Sequence, residues 1–328
     1  MQLKYNMKSS LSICIPNFNR SIHLQKLIFD LQNQTVEPYE VIISDDCSSK
    51  RELDTIKKYM PINYRLIVNK YNIGLIKNIN ELIKKAKGKY LAIVHNDDRL
   101  SKYYIEEFDK AYNKYPGFNI YTSNAMGINE SSEIIGDYRI FEKDTVLNKL
   151  RTKYLWDKFY FTYISITGTT IYKTSVIKNN LFEERYGNEA DLEKSLYFLI
   201  HENIMYINKP LYFTLLHNDQ VSRKNKLTNL SLENYITNCL DIYTSYYPYL
   251  KKCVPQYFER IKMIYFLQLF LKYNYPLKKI FALLRIKSVI ELSSIMLCMP
   301  RYIFSNMQSR LIFKKNLNEY KKYFNLNS

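Results

Sequence analysis

Short, apolar, β-branched runs alternate with stretches of helical periodicity throughout the first 94 residues. The first run covers residues 11–15, and apolar residues at helical spacing follow it over 22–32. The same unit recurs with strand-like runs at 39–44, 64–68 and 89–94. Strands alternating with helices in this way imply βαβ units and parallel pairing. The pattern predicts an α/β fold, with a mostly parallel sheet flanked by helices.

The remainder of the chain is less regular and then becomes helical. Strand-like runs lie at 119–123, 164–172, 204–207 and 211–215, and a helix is predicted over about 190–201. Beyond residue 226, apolar residues recur every three or four positions, with prolines as breaks. We predict an α/β domain at 1–225 and a basic α-helical region at 226–328.

The charge of the chain is concentrated in that helical region. The formal net charge is +17, and residues 226–328 hold 16 Lys and Arg against 5 Asp and Glu. Basic amphipathic helices can bind an anionic membrane surface, or they can pack as a cap with a solvated basic face. Both interpretations stay open. No recognised nucleic-acid-binding module accompanies the charge, so no nucleic-acid partner is expected.

The cysteine spacing and the hydropathy of the chain predict its cellular compartment. The five cysteines are scattered, with no spacing typical of a zinc site or a disulfide framework. No run resembles a signal peptide or a membrane span. We therefore expect a cytoplasmic protein, at most peripheral on the inner face of the plasma membrane.

Polar and acidic residues follow the predicted strands at the edge where α/β sheets bind ligands. Asp45 and Asp46 follow the second strand, while Asp97 and Asp98 follow the fourth. Carboxylates there could bind Mg²⁺ or Mn²⁺ together with substrate phosphates, or they could form turns in which Asp98 caps the next helix. Neither a G-x-G-x-x-G motif nor a P-loop is present, which argues against dinucleotide-dependent dehydrogenases and P-loop NTPases.

Six short segments in a fixed order resemble glycosyltransferase family 2, whose members have the GT-A fold. They lie at 11–20, which contains Pro-Asn-Phe-Asn-Arg, and at 40–49, 72–74, 78–80, 86–90 and 96–98. Weaker matches follow at 188–196 and 216–222, so the likeness covers roughly residues 10–222.

The resemblance implies a nucleotide-sugar site. The positions that it assigns to donor binding are Pro16, Asn17, Phe18, Asn19, Asp46, Asn78, Asn80 and Asn96. Asp46 would accept a hydrogen bond from the nucleobase, and Asn78 and Asn80 would support the ribose and diphosphate side.

The resemblance also implies a metal site and a base. Asp97 matches the last Asp of the metal-binding DXD motif and would bridge the diphosphate through Mn²⁺ or Mg²⁺, whereas His95 replaces the first Asp. His217 would reach the diphosphate or the metal, or it is a loop histidine beside the cleft. Sugar transfer also needs a general base. Asp191 is the predicted base, with three nearby carboxylates as alternatives: Glu183, Glu184 and Glu189.

Together these features predict an inverting glycosyltransferase. The expected donor is a nucleotide-diphosphate sugar, most simply a UDP-sugar, and the expected acceptor is a hydroxyl of a growing bacterial surface glycan such as capsule or lipopolysaccharide. A lipid-linked acceptor would suit the basic region. The alternatives are a catalytically degenerate GT-A scaffold and a basic protein that binds nucleic acid or a membrane surface.

Overall fold

The computed structural model describes residues 8–138, 141–148, 167–216, 229–250, 262 and 277–286. Within them a central sheet is covered by helices on both faces. The strands are β1 (Leu11–Asn17), β2 (Glu40–Asp45), β3 (Arg65–Val68), β4 (Tyr90–Ile93), β5 (Arg99–Leu100), β6 (Ile120–Ile128), β7 (Ile134–Asp137), β8 (Thr145–Leu147), β9 (Thr170–Lys173) and β10 (Ile204–Leu215). The helices are α1 (Ser21–Gln32), α2 (Lys50–Tyr59), α3 (Leu75–Lys85), α4 (Tyr104–Lys114), α5 (Thr174–Lys178), α6 (Ala190–His201), α7 (Asn229–Leu250) and α8 (Leu277–Leu283).

The sheet is mostly parallel, as the alternation of strands and helices predicts. Its main path has the order β3-β2-β1-β4-β9-β6-β10-β5. Strands β3, β2, β1 and β4 are parallel to one another, and β6 pairs in parallel with β10. Strand β9 lies antiparallel between the two groups. The carboxyl ends of β1, β2 and β4 therefore lie side by side, with Asn17 paired to Asp45.

Both faces of the sheet are buried, which explains why its strands are nearly continuous apolar runs. One face packs against α1, α2 and α4, and the opposite face packs against α3 and α6. Along β1 the side chains alternate between the two faces: Ile13 and Ile15 pack on the face covered by α1, α2 and α4, and Cys14 packs on the face covered by α3 and α6. Core packing therefore holds the strand ends in fixed relative positions.

The structure confirms the strands and helices predicted over the first 94 residues. The pattern predicts the third helix over 76–86, with Gly88 as its terminator, and α3 covers Leu75–Lys85. Gly88 instead lies against β1, where its N–H donates to Ser12 Oγ at 2.8 Å, and a Cβ at this position would lie 2.6 Å from that oxygen. Close approach of two backbones, and not helix termination, requires this glycine.

The second half of the domain differs more. The runs at 204–207 and 211–215 are one strand, β10, with irregular pairing near Ile207 and Pro210. The predicted helix over 190–201 is confirmed as α6. Strands β5, β7 and β8 and the short helix α5 were not predicted, because such short elements carry little periodic signal. Helix α4 was not predicted either, although it has 11 residues.

Two helices of the basic region belong to the same core as the sheet. Leu232, Ile236 and Tyr243 of α7, with Ile280 of α8, lie in one buried cluster with α3 and α6. The domain boundary near residue 226 stays a prediction. None of the helices in the described ranges is both long and apolar enough to cross a membrane.

Candidate active site

Asn17 connects the carboxyl ends of β1, β2 and β4. Its Nδ2 donates to Asp45 Oδ2 at 2.7 Å, and its Oδ1 accepts from Asn96 Nδ2 at 2.7 Å. Asp45, which is fully buried, also accepts from the backbone N–H and the hydroxyl of Ser48. The amide of Asn17 is thus held between β2 and the segment after β4. Two of the predicted donor-site residues, Asn17 and Asn96, are in direct contact.

The loops after β1 and β2 are joined to each other. The N–H of Asn19 donates to Ser48 Oγ at 2.8 Å, and the N–H of Ser49 donates to Asn19 Oδ1 at 3.0 Å. Asn19 has a φ of 49° and Cys47 a φ of 66°, both in the left-handed region. Such backbone needs support from its surroundings, which the paired loops give to each other.

Asp46 organises the loop between β3 and α3. Its Oδ1 accepts from Asn69 Nδ2 and from the N–H of Ile73, while its Oδ2 accepts from the N–H of Gly74. Gly74 has a φ of 86°, a conformation that favours glycine. Asp46 is 3% exposed, so these three donors compensate most of its desolvation. Its predicted contact with a nucleobase stays a prediction.

Asn78 and Asn80 are both buried at the start of α3. Asn78 accepts from Ser44 Oγ at 2.6 Å and donates to the carbonyl of Ser44 at 2.9 Å. Asn80 exchanges two 3.0 Å hydrogen bonds with the backbone of Phe182, which ties α3 to the segment before α6. In this structure both amides position protein segments, and their contact with a donor sugar stays a prediction.

Asp97 and Asp98 have different surroundings. Asp98 is buried, with Oδ2 accepting from the Tyr212 hydroxyl and Oδ1 accepting from the N–H of Leu215 at 2.9 Å. Burial, followed by the neighbouring charge of Asp97, raises the pKa of Asp98 well above its usual value. Asp98 therefore anchors β10 and does not cap the next helix.

Asp97 is the more accessible carboxylate of the pair. Its side chain is 18% exposed, and its Oδ2 lies 3.7 Å from an Arg20 guanidinium nitrogen. Across the described part of the chain, no three His, Cys, Asp or Glu side chains form a group that could hold a metal. A single carboxylate still fits Mg²⁺ or Mn²⁺, because these ions commonly take one or two protein carboxylates and complete their coordination with substrate phosphates and water.

His95 stands at the position that the resemblance assigns to the first DXD aspartate. Burial lowers the pKa of His95, against the opposing effect of Asp97. A neutral imidazole can donate one hydrogen bond and accept another. His217 lies outside the described residues, although β10, anchored to Asp98, ends two residues before it.

Asp191 lies in the first turn of α6 and is half-buried. Its pKa is raised to about 7, mainly by burial; the N–H of Leu192 opposes this rise, and the charge of Glu189 contributes to it. Burial raises the pKa of Tyr172 on β9, and the charge of Asp191 adds to this rise, so these two side chains are electrostatic neighbours. A carboxyl that titrates near neutral pH suits general base chemistry.

The structure gathers most of the predicted residues at one edge of the sheet. The side chains of Asn17 and Asn96 are hydrogen-bonded, and the N–H of Asp46 donates to the Asn17 carbonyl at 2.8 Å. Asn19 is joined to Ser48, which binds Asp45, and Asp97 directly follows Asn96 in the chain. Pro16 is buried in β1, and the ring of Phe18, 45% exposed, is open to solvent beside them.

Sequence reasoning missed three residues that shape this site. Arg20 pairs with Asp97, Asn69 binds both Asp46 and Asn78, and Tyr212 binds Asp98. Arg20 is the last residue of the quoted segment 11–20, so a positive charge in a predicted donor-site loop was an available signal. Tyr212 had none, because it lies 114 residues away in the chain from its partner.

The sheet order and the polar strand ends define the class of this protein, an α/β protein of the GT-A type. The chain belongs to glycosyl transferase family 2, since the family model of that description matches residues 12–179, just over half of the chain. This confirms the resemblance that its motifs indicate, and glycosyltransferase is the enzyme class that the family defines.

Individual relatives share 30% or less of their sequence with this chain in the three comparisons that follow. The chain is 30% identical over 213 residues to the Campylobacter jejuni GalNAc(5)-diNAcBac-PP-undecaprenol beta-1,3-glucosyltransferase, covering 61% of this chain and 62% of that protein. It is 23% identical over 264 residues to the cholesterol galactosyltransferase of Borreliella burgdorferi, covering 73% of each. The S. aureus TarS 1-349 structure in complex with UDP-GlcNAc has a TM-score of 0.61 at 18% identity, covering 90% of this chain and 79% of that chain. The last likeness shows the shared fold.

Proposed function

We propose that this protein transfers a sugar, with inversion, from a nucleotide-diphosphate donor to a hydroxyl of a growing bacterial glycan. The observation that carries the proposal is the pair of differently placed carboxylates, a partly exposed Asp97 at the strand ends and an Asp191 whose pKa is about 7. Family membership and relatives named for glycan synthesis support it.

The donor would bind at the ends of β1, β2 and β4. Joined loops at Asn19 and Ser48, with the loop held by Asp46, form a preorganised rim for a nucleotide. A UDP-sugar is the proposed donor, because the structural relative TarS was solved with UDP-GlcNAc.

A Mn²⁺ or Mg²⁺ ion would be held by Asp97 and by the donor phosphates. Bound there, the ion would supply positive charge to the departing nucleoside diphosphate. Arg20 is the cation that already lies beside Asp97 in the protein, and it would add to the positive potential around the diphosphate.

Asp191 would take the proton of the acceptor hydroxyl. Its position in the first turn of α6 leaves this side chain half-buried. The proposed acceptor is a lipid-linked glycan, as in the name of the Campylobacter relative, and the reaction would then occur at the inner surface of the membrane.

The test is donor binding and turnover on a panel of UDP-, GDP-, dTDP- and CDP-sugars, with Mn²⁺ or with EDTA. We expect one nucleotide to raise the Tm only with metal. Asp97→Ala should abolish this metal-dependent shift and lower donor hydrolysis at least about a hundredfold. Asp191→Asn should keep the shift and lose transfer. Asp54→Ala, at an exposed aspartate of α2, is the matched control.

The outcomes separate the alternatives. Metal-dependent donor binding without turnover on any acceptor would indicate a degenerate scaffold. An unchanged Tm with every nucleotide, identical for wild type and Asp97→Ala, would reject the donor site.

A further inference from the structure

The two glutamates that flank Asp191 are each bound by the first helix of the basic region. Asn238 Nδ2 of α7 donates to Glu189 Oε2 at 3.0 Å, and the Tyr246 hydroxyl donates to Glu193 Oε1 at 2.5 Å. Glu189 precedes Asp191 by two residues and Glu193 follows it by two. The start of α6 is therefore held by α7 on both sides of the proposed base.

Glu189 stands where its carboxylate could cap α6, but it does not form that contact. It is the N-cap residue of α6, yet its side chain makes no capping hydrogen bond to the helix. An acidic side chain at a helix start is stabilised by the free N–H groups and by the helix dipole. Here the carboxylate is directed to Asn238, so the contact between the helices replaces the local one.

Glu193 is nearly inaccessible and depends on fixed partners. It is 6% exposed, and its Oε2 lies 3.3 Å from the ammonium of the equally buried Lys194. A buried carboxylate is costly unless each oxygen finds a donor or a cation. The Tyr246 hydroxyl supplies the donor for the other oxygen, which sets the orientation of this turn relative to α7.

Apolar side chains of α6 and α7 pack against each other in one cluster. Leu192 and Leu196 of α6 lie in the same buried cluster as Ile236 and Tyr243 of α7. The segment before α6 also contains Gly187, with a φ of 52°, which kinks the chain ahead of the helix. Contacts with α7 are therefore well placed to fix where α6 begins.

We propose that α7 is part of the catalytic unit and that Asn238 is a positioning residue, which through Glu189 holds the start of α6 and hence Asp191. The inference rests on the proposed function, in which Asp191 is the base. It assigns to the basic region a role in catalysis that is independent of any membrane.

Charged and titratable groups face Asp191 from two other elements. Glu189 approaches from the 3-10 helix Glu184–Glu189, and the Tyr172 phenol approaches from β9. Without the Asn238 contact, the Glu189 carboxylate is no longer held by α7 at its present distance from Asp191. The pKa of Asp191 should then fall, because one of the causes that raise it is weakened.

The experiment compares Asn238→Ala, Asn238→Gln and, as the control on the same helix, Ser245→Ala. Ser245 is exposed, and its hydroxyl donates to the carbonyl of Asp241 within α7. For Asn238→Ala we expect kcat to fall about tenfold to a hundredfold with the KM for the donor unchanged, and the acidic limb of the kcat profile to move to lower pH. Asn238→Gln, which keeps the amide donor, should recover part of kcat, and Ser245→Ala should match wild type.

Two outcomes would overturn the proposal: an unchanged kcat and pH profile in Asn238→Ala, or a loss that the donor KM explains entirely. The pH dependence of the Tm gives a second measurement that needs no turnover. Its midpoint should move to lower pH in Asn238→Ala but not in Ser245→Ala, and no difference between these variants would also reject the positioning role. Failure of the proposed function is distinct, since wild type would then be inactive, or Asp191→Asn would be as active as wild type.

Discussion

Asp97 and Asp98 are neighbours in the chain, yet their carboxylates have different partners. Asp98 turns inward, where Tyr212 and the backbone of Leu215 bind both of its oxygens. Asp97 stays partly exposed beside Arg20. Two adjacent carboxylates repel when both ionise, and burial of one with hydrogen-bond donors separates their roles. At the residue scale, one aspartate builds the fold and the other is available to a ligand.

Asp191 gives a prediction at this scale. Its pKa is about 7 in the folded protein, against 3.8 for an ordinary aspartate, so the folded state holds the proton more tightly than the unfolded state. Between these two values the unfolded chain loses its proton first, and stability falls as the pH rises. Asparagine does not titrate. The Tm of Asp191→Asn should therefore rise relative to wild type between pH 5 and pH 8.

Thermal unfolding of both proteins at these two pH values measures the difference. Asp54→Ala, which changes an exposed aspartate, should show no such trend relative to wild type. A gap between Asp191→Asn and wild type that is the same at both pH values would contradict the raised pKa.

At the scale of elements, the site depends on how β10 reaches the end of β4. Tyr212 of β10 lies against Gly168, and Tyr104 of α4 donates to the Gly168 carbonyl at 2.9 Å. The Tyr212 hydroxyl then binds Asp98, which follows β4. Strand, 3-10 turn and helix thus meet at one backbone position that has no room for a side chain.

Gly168→Ala tests this contact. The added Cβ would lie 2.0 Å from ring carbons of Tyr212, so the ring or the backbone must move. We expect a loss of about 3 kcal/mol in the free energy of unfolding, at the upper end of the cost of overpacking. Gly136→Ala is the matched control, because its nearest neighbour would lie 3.9 Å away. Urea unfolding measures both, and equal midpoints for the two variants would argue against the close contact.

At the scale of the whole molecule, the basic region is continuous with the core of the sheet. Ile236 and Leu240 of α7 share a buried cluster with Ile79 and Leu82 of α3. An ion pair between Lys279 and Glu233 joins α8 to α7, and Arg285, two residues after the end of α8, pairs with Asp241 of α7. Part of the basic charge therefore serves packing between helices, in addition to any membrane contact.

Ile236→Ala examines this continuity. Removing a fully buried isoleucine should cost about 2–5 kcal/mol, and the loss should reach α3 and α6 because the cluster is shared. Amide hydrogen exchange should show faster exchange in all three helices, whereas Ser245→Ala should leave each of them unchanged. Faster exchange confined to α7 and α8 would instead favour two independent units.

Local sequence patterns predict the strands and helices of the first 94 residues, since their apolar period is local and both faces of the sheet are buried. They also predict which strand ends carry polar residues, because Asn17, Asp46 and Asp97 directly follow apolar runs. The roles of these residues depend on tertiary contacts. Asp98 is hydrogen-bonded to Tyr212, Asn80 to Phe182 and Glu189 to Asn238, across separations of 49 to 114 residues in the chain. No local pattern encodes such contacts, because partners of this kind are selected by the packing of whole elements.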